Sequence, residues 1–470
     1  MLTRIEIDGF KSFANFALDL NPFTVILGQN GSGKSNLFDA MQLLRRAVSE
    51  PLAEALRGGR GEFRELFRVR GDGKPVDRMR FAVEVLIRRD VDDSFQKRLI
   101  VGDTRLRYEL EIERRPDPDE LFPDAVVPDL VPFVSSETAT VIPPARDVWA
   151  ATHQLSEGFR TAYMRYSGQE EGPLLSTEIR PDGGAVFTLT QGGRRRHLSA
   201  RSAESTVLSS ITTATENPVL YALRREIESW RTLHLDPAAL RRPSDASPRS
   251  IGLTEAGENL PAVLRRIEAA ERSTEFVEGS GALMADLVAD FSHLIRGITG
   301  VELIPNPATG EWEVRLRGRD LGTTSARVAS DGTLRVLAVL AALYDPASGG
   351  LLCFEEPENG IHPERLRDFI TVVRDLVTDP AEDLPGAPLM QALLSSHSPL
   401  LLLTADPADV VVFDWVSRWE PDLPAASRIT RVRRLVEQRE GADAVEIVSA
   451  AERGLLTGIS SDEVESLLGA

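Results

Sequence analysis

The sequence predicts an α/β fold: a mixed, mainly parallel sheet with flanking helices, built from both ends of the chain around an inserted α+β region. Three observations predict it. Near the N-terminus the apolar run Phe23-Thr24-Val25-Ile26-Leu27 leads into a glycine-rich loop and then into apolar residues at helical spacing. Over the last third of the chain, helix and strand patterns alternate, which implies parallel strands joined by crossover helices. Between these ends, hairpins and long helical patterns occur without that alternation. The expected organisation is an N-terminal part of the core at 1–115, an inserted lid or coupling region at 116–300, and a C-terminal part of the core at 301–470.

In order, Ile5 and Ile7, then Phe16, Leu18 and Leu20, alternate as two antiparallel strands around a polar corner at Asp8-Gly9-Phe10-Lys11-Ser12. The run 23–27 is nearly continuously apolar, as expected of a strand buried on both faces. Leu37, Met41, Leu44 and Val48 mark the helix after the glycine loop. Strands are expected at Met79–Ile87 and Arg105–Ile112. Arg115 to about Pro144, rich in proline and acid, reads as an irregular excursion. Leu175–Thr190 reads as a hairpin turning at Asp182-Gly183-Gly184, and helices are expected at Pro218–Leu233, Asn259–Glu271 and Ala282–Ile298. Val301–Gly318 is a second hairpin. Then come an apolar helix at Thr333–Tyr344, a buried strand at Leu351–Phe354, an amphipathic helix at Pro363–Val377, and strands at Leu389–Leu394 and Val410–Phe413.

Composition excludes several classes. The chain has 470 residues, 42% hydrophobic and 27% charged, the balance of an ordinary globular protein. No apolar run is long enough to cross a bilayer, and Met1-Leu2-Thr3-Arg4-Ile5-Glu6 lacks the apolar core of a secretion signal, so a cytoplasmic, membrane-free location is expected. The single cysteine, Cys353, rules out an intrachain disulfide and a thiolate metal cluster; within Leu351-Leu352-Cys353-Phe354 it reads as core. A formal net charge of −18 argues against nucleic-acid binding over the whole surface, so DNA or RNA would need a local basic patch. Two patches qualify by sequence, Arg194-Arg195-Arg196 and the cluster Arg57, Arg60, Arg64, Arg68 and Arg70. Solvated arginine loops are the alternative for both.

The chemistry begins at Gly28-Gln29-Asn30-Gly31-Ser32-Gly33-Lys34-Ser35, a full match to G-x-x-x-x-G-K-[ST] in the strand–loop–helix context the motif requires. Glycines let consecutive N–H groups turn onto phosphate oxygens, and the following helix adds its N-terminal amides. Lys34 supplies a charge for the β- and γ-phosphates of ATP, and the Ser35 hydroxyl suits Mg2+. Far along the chain, Leu351-Leu352-Cys353-Phe354-Glu355-Glu356-Pro357-Glu358-Asn359-Gly360-Ile361-His362-Pro363 resembles a Walker B segment followed by a D-loop. Two carboxylates leaving a buried strand would face the phosphate loop, Glu355 holding the Mg2+ shell and Glu356 acting as general base toward water. Glu355 departs from the more usual aspartate. His362 reads as structural. Asp406, Asp409 and Asp414 read as a solvated turn and strand end, the alternative being a remnant metal site.

Ser330-Asp331-Gly332-Thr333, opening the apolar helix, resembles the signature of standalone ABC-type ATPases, and His397 in Ser395-Ser396-His397-Ser398-Pro399 resembles their switch histidine. The order of phosphate loop, signature, acidic pair and histidine is that of an ABC-type ATPase head. Together with Ile5-Glu6-Ile7-Asp8-Gly9-Phe10-Lys11-Ser12-Phe13 and the loop continued to Asn36, the chain resembles the SMC/RecF/OLD-like group over about 50 residues at the N-terminus and about 80 from Ala326 to Ala405. That resemblance implies ATP and Mg2+ as cofactors. Gly28, Asn30, Gly31, Ser32, Gly33, Lys34, Ser35 and Asn36 would cradle the nucleotide, with Ser330 and Gly332 contributed across a homodimer. Ser35 and Glu355 would hold the metal, and Glu356, His397 and Lys34 would act in hydrolysis. It also implies an ATP-driven open/close switch in antiviral defence or DNA maintenance, with an effector such as a nuclease in trans and DNA as a candidate partner. Lys11 would lie near the nucleotide, and no Q-loop glutamine is assigned. The chain lacks SMC heptad arms and a TOPRIM domain, and its signature is not the transporter form. A slow ATP-dependent scaffold that sequesters a partner protein is the alternative function.

Overall fold

A computed structural model describes residues 1–92, 98–116, 130–168, 172–179, 185–191, 194–200, 204–215, 217–245, 252–273, 283–320, 322–382, 389–421, 423–435, 457–459 and 461–468. The turn at 182–184, the acidic stretch 117–129 and the glycines at 192–193 lie outside them.

The central sheet has seven strands in the order Arg231–Leu233, Gly350–Glu355, Met390–Ser396, Phe23–Gly28, Val410–Arg418, Ser427–Leu435 and Thr457–Ile459. The first five run parallel. The N-terminal strand 23–28 is thus inserted between two C-terminal ones, so neither end of the chain can form this sheet alone. Side chains of 23–28 alternate between two cores. Val25 and Leu27 join the helices Leu260–Ser273, Leu283–Leu294, Asp331–Tyr344 and Pro363–Leu376, whereas Ile26 faces the helix Lys34–Ala47 and a second sheet. Burial on both faces is why the run carries no polar alternation.

The second sheet is antiparallel, with eight strands in the order Arg194–Ala200, Ala185–Gln191, Leu175–Ile179, Leu130–Val141, Arg105–Pro116, Arg78–Leu86, Leu2–Asp8 and Phe16–Asp19. Two expectations change here. The described part of the supposed excursion at 115–144 is the twelve-residue strand Leu130–Val141. Its pattern was hidden because two of its buried positions, Ser135 and Glu137, are polar. Glu137 is fully enclosed, accepting from Tyr108 Oη at 2.9 Å and from the N–H groups of Val207 and Leu208 at 2.5 and 2.9 Å. The helix from Pro218 ends at Glu228 rather than Leu233, and Arg231–Leu233 becomes the edge strand beside Gly350–Glu355. The stretch 116–300 therefore adds strands to both large sheets.

Asp414 is not solvated but buried in mid-strand, held by Arg431 and Arg433 at 2.6 and 2.9 Å. Asp409 pairs with Arg374 at 3.3 Å. Among the described residues no three His, Cys, Asp or Glu side chains are grouped to hold a metal ion, and no helix is long and apolar enough to cross a membrane. Cys353 is buried, and burial pushes its thiol well up.

One charge cluster carries a pH prediction. Burial alone would raise the Glu6 carboxyl, but hydrogen bonds and charge from Arg107 and Arg4, at 2.7 and 2.8 Å, outweigh it and hold the group at about 2. The folded state therefore gains stability from ionised Glu6 above its unfolded pKa near 4.5, and loses it as pH falls toward 2. The melting-temperature advantage of the native chain over Glu6→Gln, followed by circular dichroism, is expected to be full at pH 7 and to shrink through that window.

Candidate functional site

The phosphate loop leaves the fully buried strand 23–28 and enters the helix Lys34–Ala47, capped by Gly33 in the left-handed region at φ 104°. A side chain there is excluded twice over: a Cβ would also lie 2.2 Å from Thr430 Oγ1. Thr430 ties the loop down, donating to the Ser32 carbonyl at 2.9 Å and sharing a hydrogen bond with Ser12 Oγ at 2.7 Å. Ser12 Oγ also accepts from Asn36 Nδ2 at 2.8 Å. The Lys34 ammonium lies over its own loop, donating to the carbonyls of Gly28 and Gln29 at 2.5 and 3.0 Å. Burial lowers its pKa, with Glu356, Glu355 and Glu358 acting in the opposite sense.

Asn30, Gly31, Gly33, Lys34, Ser35 and Asn36 line one cleft together with Glu355, Glu356 and Ser395. Sheet order explains the convergence. The acidic and histidine strands end at the same edge as the phosphate-loop strand, with Glu355 level with Ser395 and Ser395 level with Ile26. Glu356 leaves its strand at φ 50°, a left-handed conformation that costs a non-glycine residue about 1–3 kcal/mol. The turn is held by its N–H donating to the Ser395 carbonyl at 2.8 Å. It aims the carboxylate between His397 Nδ1 at 3.0 Å and Asn359 Nδ2 at 2.6 Å. Glu358, two residues on, accepts from Ser396 Oγ, and burial pushes its carboxyl upward.

Ser330 and Gly332 are not among the residues lining that cleft. Ser330 caps its own helix, accepting from the Thr333 N–H at 3.2 Å. Gly332 lies against the loop that follows the acidic pair, so closely that a Cβ would sit 1.7 Å from the Gly360 carbonyl oxygen. His362 caps the helix 363–376, its Nδ1 accepting from the Glu364 N–H at 3.4 Å. Lys11 bonds Asp39 at 2.6 Å, on the helix after the loop.

Sequence reading missed four neighbours of the site: Arg60, His234, Asp39 and Thr430. Arg60 was grouped with a surface arginine cluster, yet it reaches Asp39 at 3.2 Å and Glu355 at 3.4 Å. His234 approaches Glu355 at 3.4 Å from the edge strand. Two other arginines of that cluster are engaged within the protein, Arg68 with Glu420 at 2.9 Å and Arg70 with Asp72 at 3.3 Å. Arg194–Arg196 lies on the outermost strand of the antiparallel sheet.

The donors fit a hard divalent cation. Ser35 and Glu355 offer a hydroxyl and a carboxylate beside a loop built for phosphates, the oxygen set that Mg2+ prefers.

A parallel sheet with the phosphate loop at its centre, the histidine strand beside it and the acidic strand beyond is the arrangement expected of an ABC-type ATPase head. Comparison with known proteins agrees at both ends of the chain. Residues 1–58 match the family model described as "RecF/RecN/SMC N terminal domain", and residues 220–403 match "AAA domain, putative AbiEii toxin, Type IV TA system". The chromosome partition protein Smc of Halothermothrix orenii is 47% identical over 62 residues, 13% of this chain and 5% of that protein. The Smc of Bacillus subtilis is 38% identical over 96 residues, 20% of this chain and 7% of that protein. The matched stretches thus span a small fraction of those relatives. Among solved structures, the Smc head bound to the C-winged helix domain of ScpA overlays with a TM-score of 0.47 at 14% identity, covering 91% of this chain and 97% of that one. The SMC head domain from Thermotoga maritima overlays with a TM-score of 0.36 at 10% identity, covering 91% and 98%. The two family models thus match the two stretches of the chain that carry the phosphate loop and the acidic pair.

Proposed function

We propose that this chain binds and hydrolyses ATP with Mg2+, and that the cycle opens and closes a head-to-head homodimer. The observation that carries the reading is the single cleft shared by Lys34 and Ser35 with Glu355, Glu356 and Ser395. In this reading the loop N–H groups bind the triphosphate, and Lys34 exchanges the carbonyls of Gly28 and Gln29 for phosphate oxygens. Ser35 and Glu355 hold the Mg2+, which when bound neutralises charge on the phosphate oxygens. Glu356 accepts the proton of the attacking water, and His397, 3.0 Å away, orients that carboxylate.

Because Ser330 and Gly332 lie outside the cleft of their own chain, a second copy would have to bring its signature helix to the γ-phosphate. The setting we propose is cytoplasmic, in antiviral defence or DNA maintenance, with a nuclease or another effector on a separate chain and DNA as a further partner. The toxin–antitoxin description of the model matched by residues 220–403 supports the defence setting.

Phosphate release from ATP by the purified chain tests the core of the proposal. Turnover is expected with Mg2+, is expected to stop in excess EDTA, and should return when Mg2+ is restored. A chain that neither binds nor hydrolyses ATP under these conditions would sink the reading.

A further inference from the structure

Glu355 has one methylene more than an aspartate would, and that extra freedom is restrained from two sides. Its Oε1 lies 3.4 Å from Arg60 Nη2, and its Oε2 lies 3.4 Å from His234 Nδ1. Strand register brings the histidine there. Leu233 is level with Phe354 in the parallel pair, so His234 is level with Glu355. The His234 backbone is anchored by its N–H donating to the Glu255 carbonyl at 2.9 Å. Its second ring nitrogen faces the Glu255 carboxylate at 3.6 Å, and that carboxylate accepts from Gln42 Nε2 at 3.2 Å on the phosphate-loop helix. His234 lines a different depression from the phosphate cleft, one that also contains Arg335 and Phe354, and Glu355 borders both. The histidine therefore reaches the carboxylate from a depression that adjoins the phosphate cleft. An imidazole that contacts a metal-binding carboxylate restricts its orientation, and groups of this kind commonly change metal affinity about 10–100-fold when removed.

We propose that His234 is a positioning residue for Glu355, acting with Arg60 to hold the longer carboxylate arm in the place where it meets the metal. His234, supported by Glu255, thereby sets how tightly the nucleotide site takes its divalent cation. The proposal rests on the reading of Glu355 as the metal-side carboxylate.

The test measures metal binding apart from turnover. Full-length chain is titrated with Mn2+ in the presence of a slowly hydrolysed ATP analogue, and bound Mn2+ is read by electron paramagnetic resonance. Metal-free binding of the analogue is measured in parallel. Native protein is expected to take up Mn2+ with nucleotide. His234→Ala is expected to raise the half-saturating Mn2+ concentration about 10-fold, with metal-free nucleotide binding unchanged. His234→Gln, which keeps an N–H donor of similar reach, should recover most of the loss. His234→Asn, polar but too short, should behave like alanine, and it carries the test if the alanine variant does not fold. In an Glu355→Asp background the histidine has no long arm to restrain, so His234→Ala should add less than about 2-fold. Unchanged Mn2+ affinity in His234→Ala or His234→Asn overturns the proposal. So does an undiminished effect in the Glu355→Asp background, which would assign His234 a role independent of that arm. If the native chain itself binds no Mn2+ with nucleotide, the reading of Glu355 falls as well.

Discussion

Glu356→Gln is expected to lower ATP turnover about 10²–10⁴-fold while leaving Mg2+-dependent ATP binding within a few-fold of native, the range that general-base catalysis contributes. The substitution keeps size and shape. The backbone turn at φ 50° is held by main-chain bonding to Ser395, which a glutamine retains. One amide oxygen can still accept from Asn359, which lies 2.6 Å from the carboxylate. What disappears is the proton acceptor facing His397. If hydrolysis drives dimer opening, this variant should accumulate as a dimer in ATP, visible by size-exclusion chromatography with light scattering. Turnover at the native rate would remove Glu356 from the chemistry. Lost turnover with no change in any partner-related activity would favour the scaffold reading over the switch.

The second large effect is expected at Lys34. Its ammonium sits within the loop, bonded to two of its carbonyl oxygens and sharing the cleft with the carboxylates of Glu355 and Glu356. Removing it leaves the phosphate charges of a bound nucleotide without their nearest cation. Truncating one partner of such a pair costs about 2–5 kcal/mol, so Lys34→Ala should weaken ATP binding about 30–5,000-fold. Isothermal titration or a fluorescent ATP analogue would report this directly. The strand and helix around the loop are held by Thr430, Ser12 and the two cores, so the thermal unfolding of the variant without nucleotide should stay close to native. Native affinity in Lys34→Ala would mean that the nucleotide is not held by this loop.

Much of the site was legible because its parts are local. A phosphate loop needs a strand, glycines at positions of positive φ and a helix start, and all three fall within about twenty consecutive residues. The acidic pair and His397 follow buried strands whose largely apolar runs stand out for the same reason as 23–27: both faces are covered. His234 and Arg60 had no such signal. Each is one polar residue at the end of a short element, and its role depends on what the neighbouring strand places opposite. The strand Leu130–Val141 escaped notice because the buried Glu137 breaks its apolar alternation, and Asp414 was read as solvated because its arginine partners lie more than a dozen residues further along.

Sequence alone determined the phosphate loop, the acidic pair, the histidine and their order, since each depends on residue type at short spacing. Tertiary structure decided which of them share a cleft, that strand 23–28 is threaded between 390–396 and 410–418, and that Gly332 of the helix Asp331–Tyr344 packs on Gly360 rather than lining that cleft. The physical reason is the parallel sheet itself. Its neighbours are set by burial and hydrogen bonding between strands hundreds of residues apart, and no local pattern records that pairing.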